Sequence, residues 1–432
     1  MWTDGGRTPS GSPPPASCWF GRTGSSPGAP RRWSTRRSAS WRASCCACCG
    51  APTRTGRARR HPDGRWRRRR GAASLMLPRQ LAQTTTSDCS ATPPWRAGRG
   101  VVIARVRLRG VGHVVGSETV SNTDVASALG LPPTWLTDRT GIRCRRVCGD
   151  GEDVLGLAVD AVTRACADAS LSMSDLGDET MLLHIQSGHV AFTPPGGVLL
   201  AGRLGLDRVR VLGLDGVCAE PIAGLEYAVL MLQAGRCARV VLSTSADFVS
   251  YVDPKDAATV GLFGAGASAV VLERAQADEP AGTVRGLRWE THAEHWKLGR
   301  LPILRATPHD AHVSLDVGYY QMDGQRLARV AIRAMPAMVG KVLEEAGWAI
   351  GDIDLVIAHQ PNAKMLEMGV RALGLNANIV PMPVRELGNM GPASLFVNLS
   401  LARAAGRTPA GTRLLLIAFG LGFSCGAAAI EL

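Results

Sequence analysis

The apolar positions between residues 208 and 235 change rhythm once, and that change frames the rest of the chain. Val209, Val211, Leu212 and Leu214 follow the near-alternating pattern of a half-buried strand. Asp215 and Gly216 break the run. Ile222, Leu225, Ala228, Val229 and Leu232 then recur at spacings of three and four until Gly235, the pattern of a buried helix. Cys218 stands at the junction. There, free backbone N–H groups and the helix dipole favour a thiolate, although cysteine is equally at home as a small buried hydrophobe. This stretch alone leaves both readings open.

The same two periods organise the rest of the body. Strand-like runs fall at residues 101–115, 181–185, 240–243, 262–273, 282–289 and 353–358, with a last strand, turn and strand closing the chain. Helical spacing covers 121–129, opened by a capping signal at Ser121, then 155–169 and a long segment ending near Ala346. Residues 135–146 read as a polar turn and a basic stretch, and 188–197 as a Pro/Gly loop. One pattern occurs twice: helix, Ala-Gly-Arg, buried strand, Phe-Gly-x-Gly, strand, Glu. Its two Phe-Gly-x-Gly turns begin at Phe263 and Phe419. A duplication of that size predicts two related α/β halves packed together.

Charge divides the chain differently. The 432 residues carry a net charge of +13. Residues 1–100 hold 19 Arg, no Lys and three acidic residues, for +16, which leaves −3 for the body. That leader also carries six of the ten Trp and six of the twelve Cys, without apolar periodicity. Arg without Lys, beside CCACC and RWRRRR, has the composition of GC-rich DNA read upstream of a start at Met76 or near Val101. The expectation is a disordered or non-native leader. A basic arm for nucleic acid and a targeting segment are the rival readings. Cys45, Cys46, Cys48 and Cys49 lack a second ligand pair at zinc-finger spacing, and His292 and His295 in HAEH lack a third ligand, so no metal site is expected. The six body cysteines are scattered, as suits a reducing cytoplasm. A mean hydropathy near zero and no long apolar run argue against a membrane span.

Six short motifs occur in a fixed order across the body: RTGI from Arg139, the Cys218 junction, MDG from Met322, HQPN from His359, GNMGPAS around Asn389, and AFGLG ending at Gly422. In that order they resemble the ketoacyl-ACP synthase III group of thiolase-fold condensing enzymes, over residues 101–432. The resemblance implies a five-layered αβαβα fold in two pseudo-duplicated halves, 101–275 carrying the cysteine and 276–432 carrying the histidine and asparagine. It implies a homodimer that uses acyl-CoA and an acyl carrier protein as substrates, with no cofactor, no nucleic acid and no membrane. Residue by residue, it implies a triad of Cys218, His359 and Asn389, with the backbone N–H groups of Cys218 and Leu421 as an oxyanion site. It also implies CoA contacts at Trp135 and Arg139, and carrier-protein contacts at Lys364 and Arg371.

The chemistry explains the residue types. A thiolate exchanges one thioester for another at little cost, with the helix N-terminus and a nearby imidazole expected to lower the thiol pKa. Two hydrogen-bond donors would hold the enolate left when a malonyl thioester loses CO₂. The expected activity is therefore decarboxylative condensation in polyketide or specialised lipid synthesis. The alternative is acyl transfer to a hydroxyl, amine or carrier thiol, and a reading from another class is a non-catalytic partner subunit. The sequence departs from the family's pattern at Ala219, Glu220, Pro221, Met390, Pro392 and Leu421, and lacks Asp in GAGAS. A carboxylate two positions from a thiolate opposes its ionisation unless it points away. These departures imply a specialised member and a donor other than plain acetyl-CoA.

Overall fold

The computed structural model describes residues 104–188, 190–275 and 283–432. The leader expectation therefore lies outside the described residues. In chain order the first half contains β1 (Ala104–Val115), β2 (Glu118–Ser121), α1 (Asn122–Leu129), α2 (Trp135–Thr140), β3 (Cys144–Val147), α3 (Val154–Asp168) and β4 (Thr180–Ser187). It continues with α4 (Gly196–Arg203), β5 (Arg210–Asp215), α5 (Glu220–Gln233), β6 (Arg239–Asp247) and β7 (Ala265–Arg274). The second half opens with β8 (Thr283–Thr291), β9 (Gly299–Arg300), β10 (Ile303–Pro308), β11 (Val313–Val317), β12 (Gln321–Met322) and α6 (Gly324–Ala346). It ends with β13 (Leu355–Ala358), α7 (Ala363–Leu373), α8 (Val384–Leu387), α9 (Ala393–Ala404), β14 (Arg413–Gly420) and β15 (Ser424–Glu431).

The long strands form one ladder in the order β13-β14-β15-β8-β1-β7-β6-β4-β5. The two halves meet at a short antiparallel pairing, Ala104 with Val284 and Arg105 with Thr283. The halves repeat one scheme. β4 and β6 pair in parallel and β6 and β7 antiparallel; β13 and β14 pair in parallel and β14 and β15 antiparallel. Helices α3 and α4 cover the outer face of the first half, α6 and α7 that of the second, and α5 and α9 lie between the two sheets. That is a five-layered αβαβα arrangement.

Burial explains why α5 and α9 take the middle layer. Ile222, Leu225, Ala228, Val229 and Leu232 of α5 and Leu395, Phe396, Leu399 and Ala402 of α9 share one core with residues of both sheets. The outer helices are buried on one face only, as a helix with one wet side must be.

The capping signal at Ser121 forms a capping box with Asp124. Residues 135–146 depart from the expected turn: Leu136 and Thr140 are buried on one side of α2, and β3 pairs with β2. Arg145 is buried and donates to the carbonyls of Val120 and Gly261 and to Asn122 Oδ1 (3.1, 2.8 and 2.6 Å). An arginine read only as part of a basic stretch is thus a core brace. Among the described residues no helix is long and apolar enough to cross a membrane.

Candidate active site

The two Phe-Gly-x-Gly segments occupy different places in their halves. The first leads into β7; the second ends β14 and leads towards β15. Each holds a candidate residue from the opposite half. Phe263 forms a parallel bridge with Asn389. The Asn389 N–H donates to the Leu262 carbonyl (2.8 Å), and the Gly264 N–H donates to the Asn389 carbonyl (3.0 Å). A Cβ at Gly264 would meet the Leu387 carbonyl oxygen at 2.3 Å, so only glycine lets the two segments approach this closely. In the second turn a Cβ at Gly420 would lie 3.1 Å from both the backbone N and the Cβ of Cys218. Cys218 and Asn389 are thus each fixed by the other half.

Asn389 sits beside two residues with left-handed backbone, Gly388 (φ 73°) and Gly391 (φ 51°). Its side-chain Oδ1 accepts from the Gly391 N–H at 2.9 Å. A donor on that oxygen fixes the amide's orientation and turns the –NH₂ end away from it. His359 follows the buried strand β13, and its N–H donates to the Ile417 carbonyl (2.8 Å). Its ring stands edge-on to Phe419, with centroids 5.7 Å apart, and its Nδ1 is buried without a hydrogen-bond partner. Burial pushes the His359 pKa down to about 3, against a smaller opposing effect of the Gly391 backbone. The imidazole is therefore neutral at pH 7.

The state of Cys218 corrects the sequence reading. Helix α5 begins two residues later, at Glu220, with Pro221 behind it. The thiol pKa is nevertheless raised, first by burial and then by the charge of Glu220. Glu220 does not point away. Its carboxylate accepts from the Val217 N–H at 2.7 Å; burial raises its own pKa, and the N–H groups of Glu220, Val217 and Ala219 offset that rise only in part. The positive end of α5 is thus spent on a carboxylate, and the neutral His359 supplies no cation. Desolvation thus disfavours the charged form of both the thiol and the imidazole. Gly216 makes room for the fold-back, since a Cβ there would meet Glu220 Cγ at 2.3 Å.

An aromatic cluster that the sequence did not single out packs beside these residues. Phe248, Phe263 and Tyr320 pack with ring centroids 5.1–5.5 Å apart. Phe248 lies against Gly391, where a Cβ would come within 2.8 Å of its ring. Tyr320, buried, lies close enough to Cys218 for the thiolate charge to help raise its pKa. Only Phe263 carried a signal in the sequence, through the repeated turn.

The remaining predicted positions lie further out. Trp135 and Arg139 are one turn apart on α2, with the guanidinium 4.6 Å from the indole centroid. The end of α2 rests on α7, where a Cβ at Gly141 would come within 2.7 Å of Ala363 Cβ. Lys364 and Arg371 are exposed on α7 at a spacing of seven, which places them on one face with half-exposed Met368 between them. Leu421 follows Gly420, and its side chain is turned onto Gly299, at 2.6 Å from a Cβ built there.

Two family models match the chain: 3-oxoacyl-[acyl-carrier-protein (ACP)] synthase III over residues 213–292, and the C-terminal model of the same family over 343–432. A β-ketoacyl-[acyl-carrier-protein] synthase III of Nitratidesulfovibrio vulgaris is 33% identical over 328 residues, covering 75% of this chain and 98% of the relative. The crystal structure of 3-oxoacyl-(acyl carrier protein) synthase III from Pseudomonas aeruginosa superposes with a TM-score of 0.67 at 27% identity, covering 76% of this chain and 98% of that one. The priming β-ketosynthase of a polyketide biosynthetic pathway gives 0.66 at 25% identity, covering 78% and 99%. With a thiolase-like fold and this identity over nearly the full length of a relative, the chain belongs to the β-ketoacyl-ACP synthase III family of condensing acyltransferases.

Proposed function

We propose that Cys218 takes an acyl group from acyl-CoA and that the acyl-enzyme is then condensed with malonyl-ACP by decarboxylation, as a priming step in polyketide or specialised lipid synthesis. One observation carries the reading: Asn389 is anchored through Oδ1 to Gly391, which leaves its amide donors free beside a neutral His359. Two neutral donors suit an enolate oxygen, which needs hydrogen bonds and no proton transfer. The N–H groups of Cys218 and Leu421 would serve the tetrahedral intermediates, and their closeness is supported by Gly420 abutting Cys218. The aromatic cluster beside the thiol favours a compact acyl group. Trp135 and Arg139 would meet CoA, while the exposed Lys364 and Arg371 would meet an acidic carrier protein. A homodimer would join along β5, which closes one end of the ladder beside α4 and its exposed Val198.

A second reading, acyl transfer without decarboxylation to a hydroxyl, amine or carrier thiol, is favoured by the Glu220 carboxylate beside the thiol. Intact-protein mass after incubation with a panel of acyl-CoAs, wild type against Cys218→Ala, identifies the donor and tests the nucleophile. Adding malonyl-ACP separates the two readings: CO₂ release with loss of the adduct supports condensation. Transfer to a non-malonyl acceptor without CO₂ supports the second, and an adduct that survives Cys218→Ala refutes both.

A further inference from the structure

We propose that Glu290, His292 and Cys425 form a binding site for a borderline divalent cation of the zinc class. The site would tie β8 to β15 beside the turn that borders Cys218. In the antiparallel pair of β8 and β15, Cys425 stands opposite Glu290. Alternate residues of a strand share a face, so Glu290, the next-but-one His292 and the facing Cys425 project to the same side. Phe423 and His292 continue the pairing, with N–H to carbonyl distances of 2.7 and 3.3 Å. One carboxylate oxygen, one ring nitrogen and the sulfur lie within 4.8 Å of one another. Tetrahedral zinc, at about 2.0–2.3 Å from its ligands, needs ligand–ligand separations of about 3.3–3.8 Å. Small side-chain rotations supply the remaining closure of about 1 Å.

The donor set selects the ion. One oxygen, one imidazole nitrogen and one thiolate match zinc and its neighbours, whereas calcium and magnesium take oxygen throughout. His292 Nε2 now bonds Glu290 Oε1 at 3.0 Å, and Nδ1 lies 3.8 Å from Glu294 Oε1. Ligation through Nε2 moves the ring proton to Nδ1, where Glu294 orients the ring as an outer partner. A bound metal ion would hold the Cys425 sulfur as a thiolate, and the thiol proton leaves to solvent. Lys341, whose Nζ is 3.7 Å from Glu290 Oε2, is half exposed and retracts as the ion enters. His295 faces the other side of the cluster through Glu294, at 3.8 Å. The HAEH segment thus gains the ligand it lacked from a strand at the far end of the chain.

The test is a Co²⁺ titration of the full chain carrying Cys45, Cys46, Cys48 and Cys49 each changed to Ser, followed by displacement with Zn²⁺. The expected result is one Co²⁺ per chain with thiolate-to-cobalt charge-transfer and tetrahedral d–d absorption, and about one proton released per ion. Cys425→Ser is expected to remove the charge-transfer band. His292→Ala, at a partly exposed position, is expected to keep the fold and weaken binding at least tenfold. Lys341→Met is expected to tighten it. A missing thiolate band, or a band and affinity unchanged in His292→Ala, overturns the proposal. If Cys425→Ser does not fold, His292→Ala alone decides.

Discussion

Replacing Glu220 with glutamine should make Cys218 more reactive. The carboxylate accepts from the Val217 N–H at 2.7 Å, one residue before the thiol. We take a carboxylate–sulfur separation on the order of 6 Å as the working value. At an effective dielectric of about 20, a unit charge at that distance contributes about 2.8 kcal/mol, or about two pKa units. Glutamine keeps an oxygen that can accept from the helix N-terminus and removes only the charge. A negative neighbour disfavours the thiolate, so removing it lowers the thiol pKa and raises the thiolate fraction at pH 8 by about 100-fold. A less basic thiolate is also a weaker nucleophile, with a Brønsted coefficient of about 0.4–0.5, which takes back about tenfold. The expected net effect is about tenfold.

The assay is alkylation by iodoacetamide across pH 6–10 (about the span that brackets an ordinary thiol pKa), followed by intact mass, with Cys218→Ala subtracting the other cysteines. Wild-type log rate should climb with pH past the ordinary thiol range, because burial and Glu220 both raise the pKa. The Glu220→Gln profile should lie above it across that range. Superimposable profiles would refute the account of a helix N-terminus neutralised by its own carboxylate.

Asn389→Ala should leave acylation of Cys218 intact while slowing malonyl-ACP decarboxylation by about 10²–10³-fold, the usual effect of losing one oxyanion donor; an equal loss in both half-reactions would rule out the enolate role. Gly420→Ala brings a methyl to 3.1 Å from Cys218 Cβ and backbone N. It should cost about 1–3 kcal/mol in urea unfolding and impair acylation, and wild-type acylation would refute the clasp. Acid should destabilise the fold through two buried histidines, His359 and His184, held down to about 3 and about 4. Below pH 6.5 the unfolded chain takes up protons that the native one refuses. Stability should therefore fall by up to about 1.4 kcal/mol per pH unit for each until the folded pKa is reached, and urea midpoints flat from pH 7 to 5 (about two units spanning the free histidine pKa) would contradict this.

The parts of the fold that rest on local rhythm were legible. The period of three and four in α5, the alternation in β5 and the cap at Ser121 each place their own apolar face or end without help from distant residues. The repeat also announced the duplication, because both copies keep the same order of helix, strand, turn and strand. Legibility failed where a residue's surroundings come from elsewhere in the chain. Arg145 reads as one more residue of a basic stretch, yet its partners include Val120 and Gly261. Cys425 reads as an isolated cysteine until the ladder sets it across from Glu290.

The candidate active site shows the same division. Residue types at Cys218, His359 and Asn389 follow from motifs, but their protonation states do not, because burial decides them and burial is a property of the assembled halves. The clasp adds a constraint on how such a site varies. The turn at Phe263 holds Asn389 and the turn at Phe419 holds Cys218, so the two turns cannot shift independently of the chemistry. Leu421 turns its side chain out of the site onto Gly299, whereas Glu220 stays beside the thiol with its carboxylate held by the Val217 N–H. Substitution at Glu220 should therefore tune the thiol without moving it.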